Sequence, residues 1–236
     1  MIELKNKTIL IEGATNIEIE YFLANIDSLE KNIIFGYEYF IGNLGSNKII
    51  ISKTNVGVVN ATIATVFGVT NFKPDIVINQ GIAGAHTRDL HIGDIVIGDK
   101  CVNIEAYKTP AKLQGEGTCF SFWEPNKRAK DVKYADQELA NYFKANIEKS
   151  NSVIVGTLGS ADMFNREVDR IDWINSKFGN LTEDMESIGT YSVCKVFNTK
   201  CIGIRIISNN ELTGETLDKT QAIKLQKVLY DVLNNK

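Results

Sequence analysis

The chain has 236 residues, 44% of them hydrophobic, and a formal net charge of −3. One sizeable core is expected from that length, hence a single domain over residues 1–236, and the mild negative charge offers no basic surface to nucleic acid or an anionic membrane. No apolar run approaches the roughly twenty residues that span a bilayer, no signal-peptide layout opens the chain, and Cys101, Cys119, Cys194 and Cys201 show no CxxC pairing, so a reduced, cytoplasmic setting is expected.

In chain order, Thr8 to Ile11 reads as a short strand, Ile17 to Leu29 as a helix with mixed faces, and Lys48 to Ser52 as a second strand. Asn60 to Phe72, rich in Ala, Thr and Val, reads as a helix ended by Lys73-Pro74. Ile76 to Ile78 reads as a buried strand that Gly81-Ile82-Ala83-Gly84 closes with backbone freedom. The run Ile92 to Asp99 is another strand, while Tyr107 to Val132 has little periodicity and reads as an active-site loop or flap. Ser152 to Val155 is strand-like and is followed by a Gly-Ser turn with the unusual cluster Asp162-Met163-Phe164. Cys201 to Ile207 is an apolar strand carrying one charge, Arg205, and it opens into Ser208-Asn209-Asn210-Glu211. Alternating strands and helices predict an α/β fold, a mostly parallel central sheet flanked by helices on both faces.

Thr182-Glu183-Asp184-Met185-Glu186-Ser187 places three carboxylates ahead of a helix in which Ile188, Tyr191, Val193, Cys194, Val196 and Phe197 recur at roughly helical spacing. Asp184 and Glu186 could serve there only to favour the positive end of the helix dipole. Their context argues for more. A strand, a polar loop, an acidic helix start, a further strand and a further polar loop are how sites are assembled at the carboxyl ends of parallel strands.

Five blocks, in order, carry a resemblance: Ile9 to Ala14, Asn55 to Ala61, Pro74 to Gly84, Ser160 to Phe164, and Asp184-Met185-Glu186 together with Arg205 to Asn209. Over nearly its full length the chain resembles the nucleoside phosphorylase and nucleosidase superfamily, in its purine branch, and is most similar to the methylthioadenosine/S-adenosylhomocysteine nucleosidases. The resemblance implies a nucleoside phosphorylase-like fold, a purine nucleoside as small-molecule partner, a role in methionine salvage, no cofactor or metal, and a homodimer or higher homo-oligomer whose partner chain closes the site. His86 is a candidate contributor across such an interface or else a solvated loop residue. His86 and His91 have no ligand-like spacing to cysteines or carboxylates.

Cleaving a purine N-glycosidic bond builds positive charge on the ribose and negative charge on the base. By resemblance Glu186 is the ribose-binding glutamate, accepting from the 2′ and 3′ hydroxyls. Met185 would pack on the sugar and Phe164 would give the purine a face to stack on, with ordinary core packing as the alternative for both, and Asp184, Gly81 and Ile82 complete the binding set. Arg205 matches the family's water-organising arginine; pairing with Glu186 or Glu183 is its purely structural alternative. The family's water-activating glutamate falls on Ile17 in the ungapped match, and Glu18, one residue on, is the nearest carboxylate. On a helix that step would turn its side chain about 100° away.

Asn209 stands where the nucleosidases carry an aspartate that protonates purine N7. An amide hydrogen-bonds N7 or a 6-oxo group but delivers no proton, so inosine- or futalosine-type substrates, help from Glu211, or a weakened nucleoside-binding protein are the alternatives. The arginines and loop serine with which hexameric phosphorylases hold phosphate are absent from Gly13 to Asn16 and Asn79 to Ile82, which disfavours phosphorolysis and favours water as acceptor, with a phosphorylase for 6-oxopurine nucleosides as the runner-up.

Overall fold

The computed structural model describes residues 4–117, 122–127 and 131–234; Cys119 and parts of the expected flap lie outside them. Its strands are β1 (Thr8–Gly13), β2 (Glu30–Ile34), β3 (Tyr37–Leu44), β4 (Asn47–Lys53), β5 (Ile76–Ala85), β6 (Ile95–Asn103), β7 (Tyr107–Lys108), β8 (Glu124–Pro125), β9 (Lys133–Tyr134), β10 (Val153–Ser160), β11 (Asn180–Asp184) and β12 (Lys200–Asn209). The helices are α1 (Glu20–Asn25), α2 (Val58–Phe72), α3 (Gln137–Ile147), α4 (Val168–Phe178), α5 (Ser187–Phe197) and α6 (Gln221–Leu233). None is long and apolar enough to cross a membrane among the described residues.

One mixed sheet runs in the order β11-β10-β6-β12-β5-β1-β4-β3-β2, with β9 on β6. Because β11 also pairs antiparallel with β5 through Thr182↔Ala85 and Glu183↔Gly84, strands β5, β12, β6, β10 and β11 close on themselves and leave no free edge around that ring. The central strands are nearly continuous apolar runs, Ile9-Leu10-Ile11, Ile49-Ile50-Ile51, Ile76-Val77-Ile78 and Ile95-Val96-Ile97, and all are buried. Strands covered on both faces require that pattern. Among the described residues the buried apolar side chains fall into three clusters, one with α3 and α6, one with α5, and a smaller one around Trp173 and Ile174 of α4.

The elements differ from the sequence reading in informative places. In place of a helix over Ile17 to Leu29 there is a 3₁₀ turn (Asn16–Glu18) and the short α1, because the chain turns out at Asp27-Ser28, with Ser28 at φ 55°. Then follows a β2/β3 hairpin that the sequence reading leaves out. Phe35-Gly36, at φ 47° and 88°, forms its two-residue turn with both residues left-handed. Gly81 to Gly84 and Thr157 to Ser160, read as turns, are extended and lie inside β5 and β10. The segment read as a flap contains the β7/β8 pair, and Tyr107 stacks on Trp123 at 4.7 Å while both meet Trp173 of α4 edge-on. An aromatic cluster fastens this part of the segment to the body.

Tyr191 of α5 stitches the ring from inside: its hydroxyl donates to Gly98 O at 2.6 Å and accepts from Gly203 N at 2.7 Å. Replacing it by Phe strands one buried donor and one buried acceptor, so Tyr191→Phe is expected to lower unfolding stability by about 1–3 kcal/mol in urea titrations, with little change in m-value.

Candidate functional site

A cavity of ≈ 290 Å³ opens where β1, β5, β11 and β12 end. Glu186, Met185 and Phe164 all line it, as do Asp184, Glu18, Ile17, Ile82, Gly84 and Asn209. The sequence reading therefore places its candidate acid and its candidate aromatic face in one space.

Glu18 is built in by backbone donors. The 3₁₀ turn lets its side chain fold back, so that Oε2 accepts from Ala14 N (3.0 Å), Thr15 N (2.9 Å) and Thr15 Oγ1 (2.9 Å), while Oε1 accepts from Ile82 N (3.1 Å). The 100° rotation expected of a helix does not arise, because residues 16–18 are not α-helical. Gly81 is small for this reason: a Cβ there would lie 2.4 Å from Glu18 Oε1. Its backbone is ordinary strand and it does not line the cavity, so the roles expected of Gly81 as a flexible closure and a substrate contact are replaced by one of leaving room for Glu18.

Glu186 heads α5. Its carboxylate accepts from Gly57 N (Oε1, 3.2 Å) and Met185 N (Oε2, 3.2 Å), and Gly57, at φ 109°, holds a backbone that side chains rarely tolerate. Burial, reinforced by Asp184 and Glu18, pushes Glu186 up to about 8, against the pull of Arg205 and the Gly57 amide. An empty site thus holds Glu186 largely protonated at neutral pH.

Asp184 and Arg205 lie beneath Glu186. Asp184 Oδ1 caps the helix start, accepting from Glu186 N (2.9 Å) and Ser187 N (2.8 Å), and Oδ2 accepts from Ser187 Oγ (2.6 Å) and Arg205 Nε (3.2 Å). Arg205, 1% exposed, spends its remaining donors on Asn79 O, Ile204 O, Asn79 Oδ1 and Ser187 Oγ. All five N–H groups are engaged and Arg205 does not line the cavity. The expected water-organising contact is therefore replaced by a structural one, and its partner is Asp184 in place of Glu186 or Glu183. Asp184, expected among the substrate contacts, is likewise consumed by the helix start and by Arg205.

At another part of the wall Phe164 is half exposed, and the next residue, Asn165, donates both its backbone N (2.7 Å) and its side-chain amide to Glu183. His86 is buried beside Glu183, Nε2 at 3.3 Å from Oε2, with Nδ1 at 2.9 Å from Asn180 Nδ2; it is neither a solvated loop residue nor free to reach across an interface. Asn209 is buried and lines the cavity, and its Oδ1 accepts from Ser208 Oγ at 3.0 Å. Glu211 does not line the cavity; it pairs with Arg166 at 3.5 Å. The described residues between Tyr107 and Val132 do not line it either.

Several participants escape sequence reasoning. Gly57, Ser187 and Asn79 act through backbone or short polar groups with no motif of their own. Glu12 has no signal beyond being a charge in an apolar strand; it is fully buried, accepts from Thr190 Oγ1 (2.7 Å) and Asn79 Nδ2 (3.1 Å), and is raised by burial. It extends the polar network behind Arg205. Lys219 and Leu217 line the cavity from the segment ahead of α6.

A sequence model of the Phosphorylase superfamily matches residues 8–232. The 5′-methylthioadenosine/S-adenosylhomocysteine nucleosidase of Geobacillus sp. (strain WCH70) is 28% identical over 85% of this chain and 84% of its own length. That of Buchnera aphidicola (strain APS) is 28% identical over 95% and 97%. Among solved structures, the Neisseria meningitidis nucleosidase in complex with methylthio-immucillin-A superposes with a TM-score of 0.81 at 22% identity, covering 98% of this chain and all of the other. A futalosine hydrolase mutant of Helicobacter pylori superposes with 0.80 at 21% identity, covering 98% and 100%; at such identities the likeness is one of fold.

The Glu186 geometry sets a pH dependence. Its folded value, about 8, lies above the ordinary 4.5, so across that window the folded protein keeps a proton the unfolded chain has released, and its stabilising effect is lost as pH rises through 8. The melting temperature of the empty protein is expected to fall between pH 6.5 and pH 9, and to fall less in Glu186→Gln; an unchanged slope in that variant would contradict the assignment.

Proposed function

The chain belongs to the phosphorylase superfamily, and on that premise we propose that it is a purine nucleosidase, hydrolysing the N-glycosidic bond of methylthioadenosine- and adenosylhomocysteine-type nucleosides as its named relatives do. The observation that carries this reading is the juxtaposition in one cavity of Glu186, Phe164 and a Glu18 carboxylate held by three backbone amides and a hydroxyl. Glu186 grips the ribose diol and carries the negative charge that favours oxocarbenium character. Met185 packs on the sugar, Phe164 stacks on the base, and Ile82 and Gly84 form the floor. Glu18 takes the proton of the attacking water. Arg205 acts at one remove, fixing Asp184 and through it the start of α5.

Water is favoured over phosphate because no arginine lines the cavity among the described residues, and Glu18 Oε1 meets β5 at the backbone amide of the apolar Ile82. Asn209 supports a second reading. With its carbonyl beside Ser208, the amide nitrogen offers a hydrogen bond to a 6-oxo group, which suits inosine- and futalosine-type nucleosides. Val56 and Phe164 are each about half exposed while lining the cavity, which favours a second copy of this chain closing the mouth. The buried free thiols Cys101, Cys194 and Cys201 suit the reducing cytoplasm, where methylthioadenosine cleavage serves methionine salvage.

The test is base release from methylthioadenosine, adenosylhomocysteine, inosine and futalosine, with and without phosphate. Release independent of phosphate, lost about 100-fold or more in Glu18→Gln and in Glu186→Gln, is the expected result; tight binding with no release would make the chain a nucleoside-binding protein. Asn209→Asp, which restores a proton-bearing group, is expected to raise kcat on adenine nucleosides by about 10²-fold and not on 6-oxopurine nucleosides.

A further inference from the structure

Expelling a purine requires positive charge or a proton where the electrons of the broken bond collect, and at Asn209 this chain has an amide. The wall around Asn209 is made of three segments tied to one another. The Arg166–Glu211 ion pair at 3.5 Å links the loop of Phe164 to the loop that follows Asn209, and Asp218 N donates to Ser208 O at 2.8 Å, laying residues 217–219 along the end of β12. Leu217 and Lys219, on either side of that anchor, both line the cavity.

Lys219 is the one cation lining the cavity among the described residues, and its ammonium has no ion pair there. Neighbouring Asp218 is occupied by Thr220 and Gln221. The four lining carboxylates each have partners: Glu18 on Ala14, Thr15 and Ile82; Glu183 on Asn165 and His86; Asp184 on Arg205 and Ser187; Glu186 on Gly57 and Met185. Resting on the hydrolytic reading above, the geometry points to Lys219 as the group that protonates the leaving purine. Water attacks C1′ and gives its proton to Glu18; the C1′–N9 bond breaks with its electron pair passing to the base; Lys219 transfers a proton to N7. Glu18 then returns a proton to solvent and Lys219 takes one up, so the sum is nucleoside plus water giving free sugar and neutral purine.

Lys219 is exposed, so Lys219→Gln is expected to fold with an unchanged melting temperature. Its kcat on methylthioadenosine and inosine should fall about 10²-fold with KM unchanged, while hydrolysis of 4-nitrophenyl riboside, whose leaving group needs no proton, proceeds at the wild-type rate. Equal losses on both substrate classes, a rise in KM alone, or an unchanged kcat in a wild-type background that releases base would each overturn the role of Lys219 and leave the hydrolytic reading standing. A wild-type protein that cleaves neither class would overturn both.

Discussion

The buried pair of Asp184 and Arg205 is the constraint on which the site depends. An arginine on the central strand β12 is taken out of water, and removing either partner of such a pair costs about 3–5 kcal/mol because the other is left charged and alone. Here the pair does more than neutralise itself. Asp184 uses its second oxygen to hold the amides of Glu186 and Ser187, so the turn from β11 into α5 is fixed to the sheet by one carboxylate. The position of Glu186 follows from that turn, and Asn79 and Glu12 carry the same network across to β5 and β1.

Around this fixed point the fold solves an electrostatic problem. Four carboxylates line one small cavity, and each is held by backbone amides, short polar side chains or a buried cation. That arrangement suits a guest that becomes positively charged as it reacts, since acidic groups already held in place cost no reorganisation at that moment. Glu186, pushed up to about 8 by burial and by its acidic neighbours, is the group whose charge a bound sugar would recover. The closure of β11 onto β5 keeps these groups together, because it brings Glu183 opposite Gly84 and so brings two sides of the cavity into one hydrogen-bonded ring.

Much of this was legible in the sequence where burial and chemistry both speak through side-chain type. Apolar runs located the central strands, and a charged segment ahead of an apolar helix located Glu186. The hairpin of β2 and β3 was missed because its turn, Phe35-Gly36, has a bulky residue where Asn or Asp is the usual signal. Gly81 was misread because a glycine can be required by a neighbour's side chain as well as by its own φ, and the neighbour, Glu18, is 63 positions away in the chain. Arg205 was placed on strand β12 correctly, yet its partners could not be read, since five donors can be spent on water or on backbone carbonyls with the same sequence. Lys219 carried no pattern at all; only the strand-end contact of Asp218 brings it to the cavity.

The central claim is that one cavity holds a nucleoside with its diol on Glu186, its base on Phe164 and a water beside Glu18. A crystal structure with a nucleoside analogue whose glycosidic bond is a stable carbon–carbon bond tests it most directly. The account predicts the 2′ and 3′ hydroxyls within hydrogen-bonding distance of the Glu186 carboxylate, the heterocycle stacked on Phe164, and an ordered water between Glu18 and C1′. A ligand seated with its sugar away from Glu186, or with its heterocycle out of contact with Phe164, would contradict it.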